Sequence, residues 1–291
     1  MTRFAGIIGH PVAHSLSPAF QGAAFAHCGL DVKYERWDTH AEALAGRLVS
    51  LRDSKYLGAN VTIPHKEAVI PLLDELGGQS ARVGAVNTIV NRAGRLFGFN
   101  TDGPGFVAAL RTEARFEPKG SAIVLLGAGG AARGISFALA EAGAGRIDIA
   151  NRTGARAERL AGDVAPFATG HVSAVASDVA LGEYDCIVNC TSLGMHGGGA
   201  ESALPCDLST AREGALAVDI VYTPEITPFL AAAVERGMPT LGGLPMLIYQ
   251  GALAFELWTG VVAPTDVMFA AARRALTPRP PLPTARARGS Q

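Results

Sequence analysis

The stretch SAIVLLGAGGAARGISFALAEAG (residues 121–143) decides the fold of this 291-residue chain. An uninterrupted apolar run meets a glycine-rich turn of the form G-x-G-x-x-A (residues 127–132), and an alanine-rich segment with helical spacing follows. A buried strand, a tight glycine turn and a helix in this order predict the first βαβ unit of a dinucleotide-binding sheet. A glycine-rich turn without a ligand is the alternative at this point.

The turn itself predicts a set of cofactor contacts. Its first glycine permits the tight turn, its second lets a pyrophosphate approach backbone N–H groups, and its small sixth residue lets helix and strand pack closely. The N-terminus of the following helix adds unpaired donors and a partial positive charge. The predicted contact residues are Gly127, Ala128, Gly129, Gly130 and Ala131.

The end of the next predicted strand indicates which dinucleotide binds. A site for NAD usually has Asp or Glu against the ribose 2′-hydroxyl about 20 residues after the turn. This chain has NRTGAR (residues 151–156) there, and its Asp148 lies within the strand. The guanidinium groups of Arg152 and Arg156 and the hydroxyl of Thr153 suit a 2′-phosphate. The sequence therefore predicts NADP, with a solvated helix start as the alternative.

Strand–helix alternation continues on both sides of this unit. Apolar runs predict strands at residues 4–9, 32–37, 57–63, 85–90, 122–126, 146–151, 186–190 and 216–221. Helical spacing predicts helices at 18–28 and 41–51, with Ser17 or Thr39 placed to cap them. We expect an α/β protein whose N-terminal sheet is mainly parallel and whose second sheet is the Rossmann-type, NADP-binding one.

Composition excludes several classes of protein. With 25 Lys and Arg against 26 Asp and Glu, no net field attracts the chain to nucleic acid or to an anionic membrane. No apolar run is long enough to span a bilayer, and the N-terminal residues do not form a signal peptide. The four cysteines lack zinc-type spacing, so we expect free thiols and no metal site. A cytoplasmic location is predicted.

Three polar clusters follow predicted strands in the first hundred residues: GHPVAHSLSP (9–18), GANVTIPHKE (58–67), and GAVNT (84–88) together with GFNTDGPG (98–105). In the first, Ser15 and Ser17 can hold a carboxylate with hydroxyl and backbone donors. In the second, Asn60 and Thr62 share a strand face. Lys66 follows them, just beyond the carboxyl end, where open α/β sheets bind ligands.

Each cluster also has a plainer interpretation. Ser17 is placed to cap the helix that begins near Pro18, and Asp102 is placed to cap the helix that leads into the NADP-binding part. Lys66 alone is typical of an exposed lysine at a helix start. The residues by themselves leave these alternatives open.

Seven motifs taken together resemble the shikimate dehydrogenase family. In chain order they are HSLSP, GANVTIPHKE, GAVNT, GFNTDGPGF, GAGGAARG, NRTGAR and GLPMLIYQGALAFELW, and they extend over nearly the whole chain. Each motif is weak alone, but their common order is specific. The resemblance implies an oxidoreductase of aromatic amino acid biosynthesis that carries out the reversible, NADPH-linked reduction of 3-dehydroshikimate to shikimate.

The resemblance also implies roles for individual residues. Lys66 and Asp102 match the catalytic pair. Ser15 and Ser17 match the carboxylate binders, with Tyr222 as a helper. The full set matched to substrate binding is Ser15, Ser17, Asn60, Thr62, Asn87, Thr101, Tyr222 and Gln250. The set matched to the cofactor is the Gly127 turn with Asn151, Arg152, Thr153, Arg156, Gly243 and Met246.

The expected chemistry suits these residue types. Hydride transfer to a ketone builds negative charge on the oxygen, which a nearby ammonium stabilises and protonates. In the oxidative direction Lys66 must be neutral to act as a base. Burial would favour its neutral form and the neighbouring Asp102 its charged form, and the sequence leaves that balance open.

One motif departs from the family pattern. The chain has LGGLPM (residues 241–246) where the family more often shows V-D-G-L-G-M, so Gly242 replaces an acid and Pro245 a glycine. Proline fixes φ and removes a donor, so nicotinamide seating or turnover rate is open to change here. We interpret the departure as variation within a subgroup of the family and not as a changed activity. Two rivals remain: a relative that oxidises quinate or prefers NAD, and a non-catalytic NADP-binding protein. Ser17, NRT and the Lys66–Asp102 pair disfavour them.

The predicted domain organisation is discontinuous. Residues 1–101 and 242–276 form the substrate domain, with helices near 244–258 and 264–276 packed on it, and residues 102–241 form the NADP-binding domain. The active site is expected in the cleft between the two. Residues 277–291 are predicted to be a disordered tail. The predicted partner is a small-molecule substrate, and the assembly a monomer or homodimer.

Overall fold

The computed structural model describes residues 1–277; apart from Thr277, the predicted tail lies outside the described residues. The strands are β1 (Arg3–Gly9), β2 (Val32–Asp38), β3 (Tyr56–Val61), β4 (Glu75–Leu76), β5 (Thr88–Arg92), β6 (Arg95–Phe99), β7 (Ala122–Leu126), β8 (Arg146–Ala150), β9 (His171–Val175), β10 (Cys186–Asn189), β11 (Leu216–Asp219) and β12 (Thr240–Leu241). The α-helices are α1 (Ser17–His27), α2 (Leu44–Ser50), α3 (Ser80–Val83), α4 (Asp102–Thr112), α5 (Gly130–Glu141), α6 (Gly154–Val164), α7 (Pro228–Glu235), α8 (Gly243–Thr259) and α9 (Thr265–Leu276).

The strands form two six-stranded sheets. The first has the order β2-β1-β3-β5-β6-β4, and all of its strands run in one direction except β5. The second has the order β12-β11-β10-β7-β8-β9 and is parallel throughout. The predicted α/β fold, with a mainly parallel first sheet and a parallel dinucleotide-type second sheet, is confirmed.

The hairpin of β5 and β6 is absent from the sequence-based prediction. Its strands are joined by Ala93 and Gly94, whose φ angles are 52° and 85°. A two-residue turn with both residues left-handed matches the twist of a hairpin. Because an alanine occupies the first position, where Asn or Asp is the usual signal, the turn is easy to miss in the sequence.

The prediction that Ser17 and Thr39 cap helices is wrong. Ser17 is itself the first residue of α1 and makes no side-chain cap bond, since the cap position belongs to Leu16. The hydroxyl of Thr39 donates to the carbonyl of Trp37 at 2.9 Å instead of capping a helix. A hydroxyl that points back along its own chain competes with a cap. Ser17 therefore does not cap α1.

Helix α4 leads from the first sheet to the second and packs against both α5 and α8. Two glycines permit this packing. A Cβ on Gly103 would overlap the carbonyl oxygen of Gly134 in α5, and one on Gly105 would lie 2.5 Å from the backbone nitrogen of Gln250 in α8. The backbones of three helices thus meet at the point where the chain crosses.

Apolar side chains from both ends of the chain close the core of the first sheet. Phe20 and Phe25 of α1 are fully buried with Phe255 of α8 and Met268 of α9, and Phe269 of α9 packs in the same cluster. Phe25 and Phe255 lie with their ring centroids 5.0 Å apart. Burial of apolar side chains is the main favourable term in folding.

Within residues 1–277, no helix combines the length and apolarity needed to cross a membrane.

Replacing Gly103 by alanine is expected to lower the free energy of unfolding by about 1–3 kcal/mol, because the methyl group meets the backbone of α5. Urea denaturation measures the change. A Cβ on Gly162 of α6 would have no heavy atom within 4 Å, so Gly162→Ala serves as control and is expected to stabilise by about 0.5–1 kcal/mol. Equal effects would contradict the close helix contact.

Candidate active site

Lys66 and Asp102 form an ion pair between the segment after β3 and the first turn of α4. The Nζ atom of Lys66 lies 2.6 Å from Oδ2 of Asp102, and the two side chains are 23% and 11% exposed. Asp102 makes no cap bond in α4, where the cap position is Thr101. The plainer interpretations, an exposed lysine and a capping aspartate, are therefore wrong.

Asn87 ties this pair to the rest of the site. Its Nδ2 donates to Oδ1 of Asp102 at 2.8 Å and to Oε1 of Gln250 at 3.2 Å. Its Oδ1 accepts from the backbone nitrogen of Thr101 at 2.7 Å. Four of the predicted site residues thus meet through one buried amide, which joins the start of β5, the start of α4 and α8.

Two buried residues that the sequence-based set lacks support this arrangement. The hydroxyl of Thr88 lies 3.1 Å from Oδ1 of Asn87 and 3.2 Å from Nδ2 of Asn60. Oδ1 of Asn100 accepts from the backbone nitrogen of Asp102 at 3.1 Å. Both residues adjoin predicted site residues in GAVNT and GFNTDG, and this adjacency was the only signal for them.

Asn60 is held on both sides of its amide. Its Oδ1 accepts from the hydroxyl of Tyr34 at 2.7 Å, and its Nδ2 faces the carbonyl of Asn87 at 3.3 Å as well as Thr88. Burial raises the pKa of the Tyr34 phenol well above its usual range, so the phenol remains a donor. Both N–H groups of Asn60 are thus engaged by acceptors of the protein itself, so its amide is fixed in orientation.

The serine segment lies beside the lysine segment because β1 and β3 are neighbours in the sheet. A Cβ on Gly9 would overlap Cγ2 of Thr62, so the segments after the two strands are in contact. Ser17 is buried, and its backbone nitrogen donates to Oγ of Ser15 at 3.2 Å. Arg36 holds the segment by donating to the carbonyl of Ser15 at 2.8 Å.

The glycine turn after β7 is tight at its first glycine and open at the next two. Gly127 has φ = 114°, and a Cβ there would meet Thr191 at 3.0 Å and the backbone of Cys190 at 3.2 Å. The same atom on Gly129 or Gly130 would face open space. Within residues 1–277 the N-terminus of α5 has no side-chain cap, which leaves its first N–H groups available to a ligand.

The segment after β8 carries two positively charged side chains. Arg152 and Arg156 are exposed at the end of this strand and the start of α6, and neither forms an ion pair within residues 1–277. Thr153 is exposed beside them, and Asn151 donates to its carbonyl at 2.9 Å. Uncapped helix donors and two free guanidinium groups fit an anionic dinucleotide that carries an additional phosphate.

Helix α8 connects the two halves of the site. The backbone nitrogen of Gly243 donates to the carbonyl of Val221 at 3.2 Å, so α8 begins on the segment that carries Tyr222. Burial raises the pKa of the Tyr222 phenol. Met246 packs against the core of the second sheet, and Gln250 lies one turn further along the same helix.

The unusual residues near the start of α8 fit its geometry. Gly242 occupies the cap position in an extended conformation, and Pro245 is the third residue of the helix. A backbone N–H in the first turn has no partner within the helix, so proline removes no helical hydrogen bond there. Helix α8 accommodates both departures from the family pattern.

Family models match three successive parts of the chain. Residues 7–89 match the shikimate dehydrogenase substrate binding domain. Residues 110–234 match the shikimate / quinate 5-dehydrogenase model, and residues 243–273 match the shikimate 5′-dehydrogenase C-terminal domain. Together they include most strands of both sheets and the helix that returns to the first sheet.

Curated relatives and a solved structure are similar over almost the full length. The shikimate dehydrogenase (NADP(+)) of Moorella thermoacetica is 47% identical, with 94% of each chain covered. The enzyme of that name from Methanopyrus kandleri is 46% identical, with 92% of this chain and 93% of the relative covered. The Thermus thermophilus shikimate 5-dehydrogenase, solved with NADP(H) and shikimate, is 46% identical with a TM-score of 0.85, covering 95% of this chain and 100% of that one.

Replacing Tyr34 by phenylalanine is expected to lower the free energy of unfolding by about 1–2 kcal/mol, because Oδ1 of Asn60 loses its buried donor. Denaturation in urea measures the loss. Tyr56→Phe is the matched control, since the hydroxyl of Tyr56 makes no side-chain hydrogen bond within residues 1–277. A loss of the same size in both variants would refute the role given to the Tyr34–Asn60 bond.

Proposed function

The chain belongs to the shikimate dehydrogenase family, and we propose that Lys66 and Asp102 are the catalytic pair of its reaction, the reversible NADPH-linked reduction of 3-dehydroshikimate to shikimate. The protein is an NADP-dependent oxidoreductase of the shikimate pathway. The observation that carries the catalytic assignment is the ion pair of Lys66 and Asp102, oriented by Asn87.

Proton transfer is assigned to Lys66. When the cofactor is bound, it supplies the hydride that reduces the carbonyl carbon. The carbonyl oxygen then carries negative charge, which the ammonium of Lys66 stabilises and neutralises by giving up one proton. Asp102 holds the ammonium in place at 2.6 Å, and Asn87 fixes the second carboxylate oxygen of Asp102. In the oxidative direction the proton returns to Lys66.

Substrate binding is assigned to the polar groups that surround this pair. Ser15 and Ser17, with Thr62 and Tyr222 beside them, hold the carboxylate. Asn87, Asp102 and Gln250 hold the ring hydroxyls, with Thr101 and Asn60 behind them. Support comes from the buried hydrogen bonds that join Asn87 to Thr101, Asp102 and Gln250. A planar amide with donors on one side orients such hydroxyls well.

The cofactor is NADP. Its pyrophosphate is assigned to the turn of Gly127 to Ala131, and its 2′-phosphate to the segment from Asn151 to Arg156. The nicotinamide is assigned to the start of α8, at Gly243 and Met246. The uncapped N-terminus of α5 and the exposed, unpaired Arg152 and Arg156 support these assignments within the described part of the chain.

The proposed domains are those of the sequence-based prediction: residues 1–101 and 242–276 form the substrate domain, and residues 102–241 form the NADP-binding domain. The membership of β1 to β6 in one sheet and β7 to β12 in the other supports this division. Closure about the crossings at α4 and α8 would bring substrate and cofactor together.

The proposed setting is the cytoplasm, where a freely diffusing small molecule is the partner. Nearly balanced charge gives the chain no attraction to nucleic acid or to an anionic membrane. A monomer or a homodimer is proposed. Gel filtration at micromolar concentration distinguishes the two.

Replacing Lys66 by alanine is expected to lower kcat for shikimate oxidation with NADP about 10²–10⁴-fold, the usual contribution of a positioned proton-transfer group. Nicotinamide absorbance measures the rate. The control is Lys33→Ala, on the exposed face of β2, which should leave the rate unchanged. A rate retained in Lys66→Ala would exclude its catalytic role. If the wild-type protein preferred quinate, it would be a quinate-oxidising relative. If it bound NADP without turnover, it would be a non-catalytic NADP-binding protein.

Replacing Arg152 by alanine is expected to raise the Kd for NADP⁺ about tenfold to a hundredfold while that for NAD⁺ changes less than about twofold, because only NADP⁺ carries the 2′-phosphate. Titration calorimetry measures both. Arg159→Ala, at an exposed arginine within α6, is the matched control and should alter neither value. Equal weakening of both cofactors would rule out the 2′-phosphate contact.

A further inference from the structure

Asp219 is a fully buried carboxylate that the reaction does not use. It ends β11, its exposure is 0%, and within residues 1–277 no Lys, Arg or His forms an ion pair with it. Asp148 of the same sheet is equally buried, but Arg146 lies 2.7 Å from its carboxylate. A buried charge without a cation is unfavourable for stability. Stability from an ion pair therefore does not explain why a carboxylate is buried at position 219.

Three donors converge on Asp219. Nδ2 of Asn189 lies 3.0 Å and the backbone nitrogen of Val221 2.9 Å from its Oδ1. The hydroxyl of Thr227 lies 2.6 Å from its Oδ2 and itself accepts from the backbone of Leu230. Burial raises the pKa of the carboxyl, and these bonds to its charged form oppose that shift. An ionised carboxylate offers acceptor lone pairs on both atoms, whereas an amide would turn an N–H group toward one of these donors.

The first of these bonds reaches the glycine turn. Asn189 ends β10, and its Oδ1 accepts from both the backbone nitrogen and the hydroxyl of Thr191, at 3.0 and 2.7 Å. Thr191 in turn lies against Gly127, since a Cβ on that glycine would be 3.0 Å from its methyl group. Asp219 thus fixes, through one amide, the segment that flanks the pyrophosphate turn.

The second bond reaches the start of α8. The backbone nitrogen of Val221 donates to Asp219, and the carbonyl of Val221 accepts from Gly243 at 3.2 Å. Contact here is close, because a Cβ on Gly243 would overlap the carbonyl oxygen of Ile220. The segment that Asp219 holds is therefore the one on which α8, with Met246 and Gln250, is seated.

The strand order relates these segments to one half of the cofactor. Strand β7 begins the second sheet, β8 and β9 extend it on one side, and β10, β11 and β12 on the other. In such doubly wound sheets the dinucleotide lies across the switch point, here between β7 and β10, at the carboxyl ends of the strands. Because the 2′-phosphate site follows β8, the nicotinamide half belongs to the side of β10 and β11.

We propose that Asp219 is a positioning residue for the nicotinamide half of the NADP site, acting through Asn189 on the segment beside the Gly127 turn and through Val221 on the start of α8. The inference rests on the proposed function, since it takes NADP as the cofactor. It adds a residue to which neither the sequence motifs nor the family resemblance gives a role.

The test replaces Asp219 by asparagine and measures two ligands by titration calorimetry: NADP⁺, and 2′-phosphoadenosine diphosphate ribose, which lacks only the nicotinamide. We expect kcat at saturating cofactor and substrate to fall about tenfold, equivalent to about 1.4 kcal/mol. We also expect NADP⁺ to bind more weakly than in the wild type, while the Kd of the fragment changes less than about twofold. Melting temperature confirms that the variant is folded at the assay temperature.

The matched control is Asp148→Asn, which removes the other fully buried carboxylate of the sheet. It is expected to lower the melting temperature and to leave kcat and the preference for NADP⁺ over the fragment unchanged. If Asp219→Asn fails to fold, Thr227→Val decides, because it removes one donor to the carboxylate and should lower kcat in the same way. Thr227→Ser keeps the hydroxyl and should restore it.

Retention of kcat and of NADP⁺ affinity in Asp219→Asn would overturn the inference. Parallel weakening of NADP⁺ and of the fragment, or an equal loss in Asp148→Asn, would also overturn it, since either marks a general loss of structure. A wild-type protein that binds neither ligand would contradict the proposed function instead, so the two failures are distinguishable.

Discussion

The side-chain amide of Asn87 is the group on which the site depends. Its orientation is set from one side by the backbone nitrogen of Thr101, and its donors reach Asp102 on α4 and Gln250 on α8. Since α4 leaves the first sheet and α8 returns to it, one buried group joins the two crossings of the chain. A shift of either helix would separate these buried donors from their acceptors. Because an unsatisfied buried polar group is costly, the bonds favour a single arrangement.

Much of the fold could be predicted because its signals are local. The apolar runs of β1, β7 and β10 and the glycine turn at Gly127 each reflect a conformation determined within a few residues. The approach of Lys66 to Asp102 was implied by the family resemblance, and the structure shows the two side chains in contact. The residues alone left both with plainer interpretations, because nothing in the local sequence states that they meet.

The features that escaped prediction depend on contacts between distant residues. Tyr34 on β2 meets Asn60 on β3 across the intervening β1, and Asp219 on β11 meets its partner Asn189 on the adjacent β10. Secondary-structure propensity and hydrophobic periodicity do not predict such pairings, because these follow from the order of strands in the sheet. The hairpin at Ala93 was missed for a local reason, because its turn uses an uncommon residue. Ser17 was misassigned as a cap because hydroxyls serve several local purposes.

The packing of α1 against α8 and α9 has a consequence for synthesis on the ribosome. Residues 1–101 emerge first, yet the core that contains Phe20 and Phe25 stays incomplete until Phe255 and Phe269 have been made. At about 5–20 residues per second, that interval lasts on the order of 10–30 s. The inserted second sheet is complete before then, so the part of the chain made in the middle is free to fold first. During this interval Phe20 and Phe25 lack their partners from the C-terminal helices. They are then accessible to chaperones that bind exposed aromatic side chains.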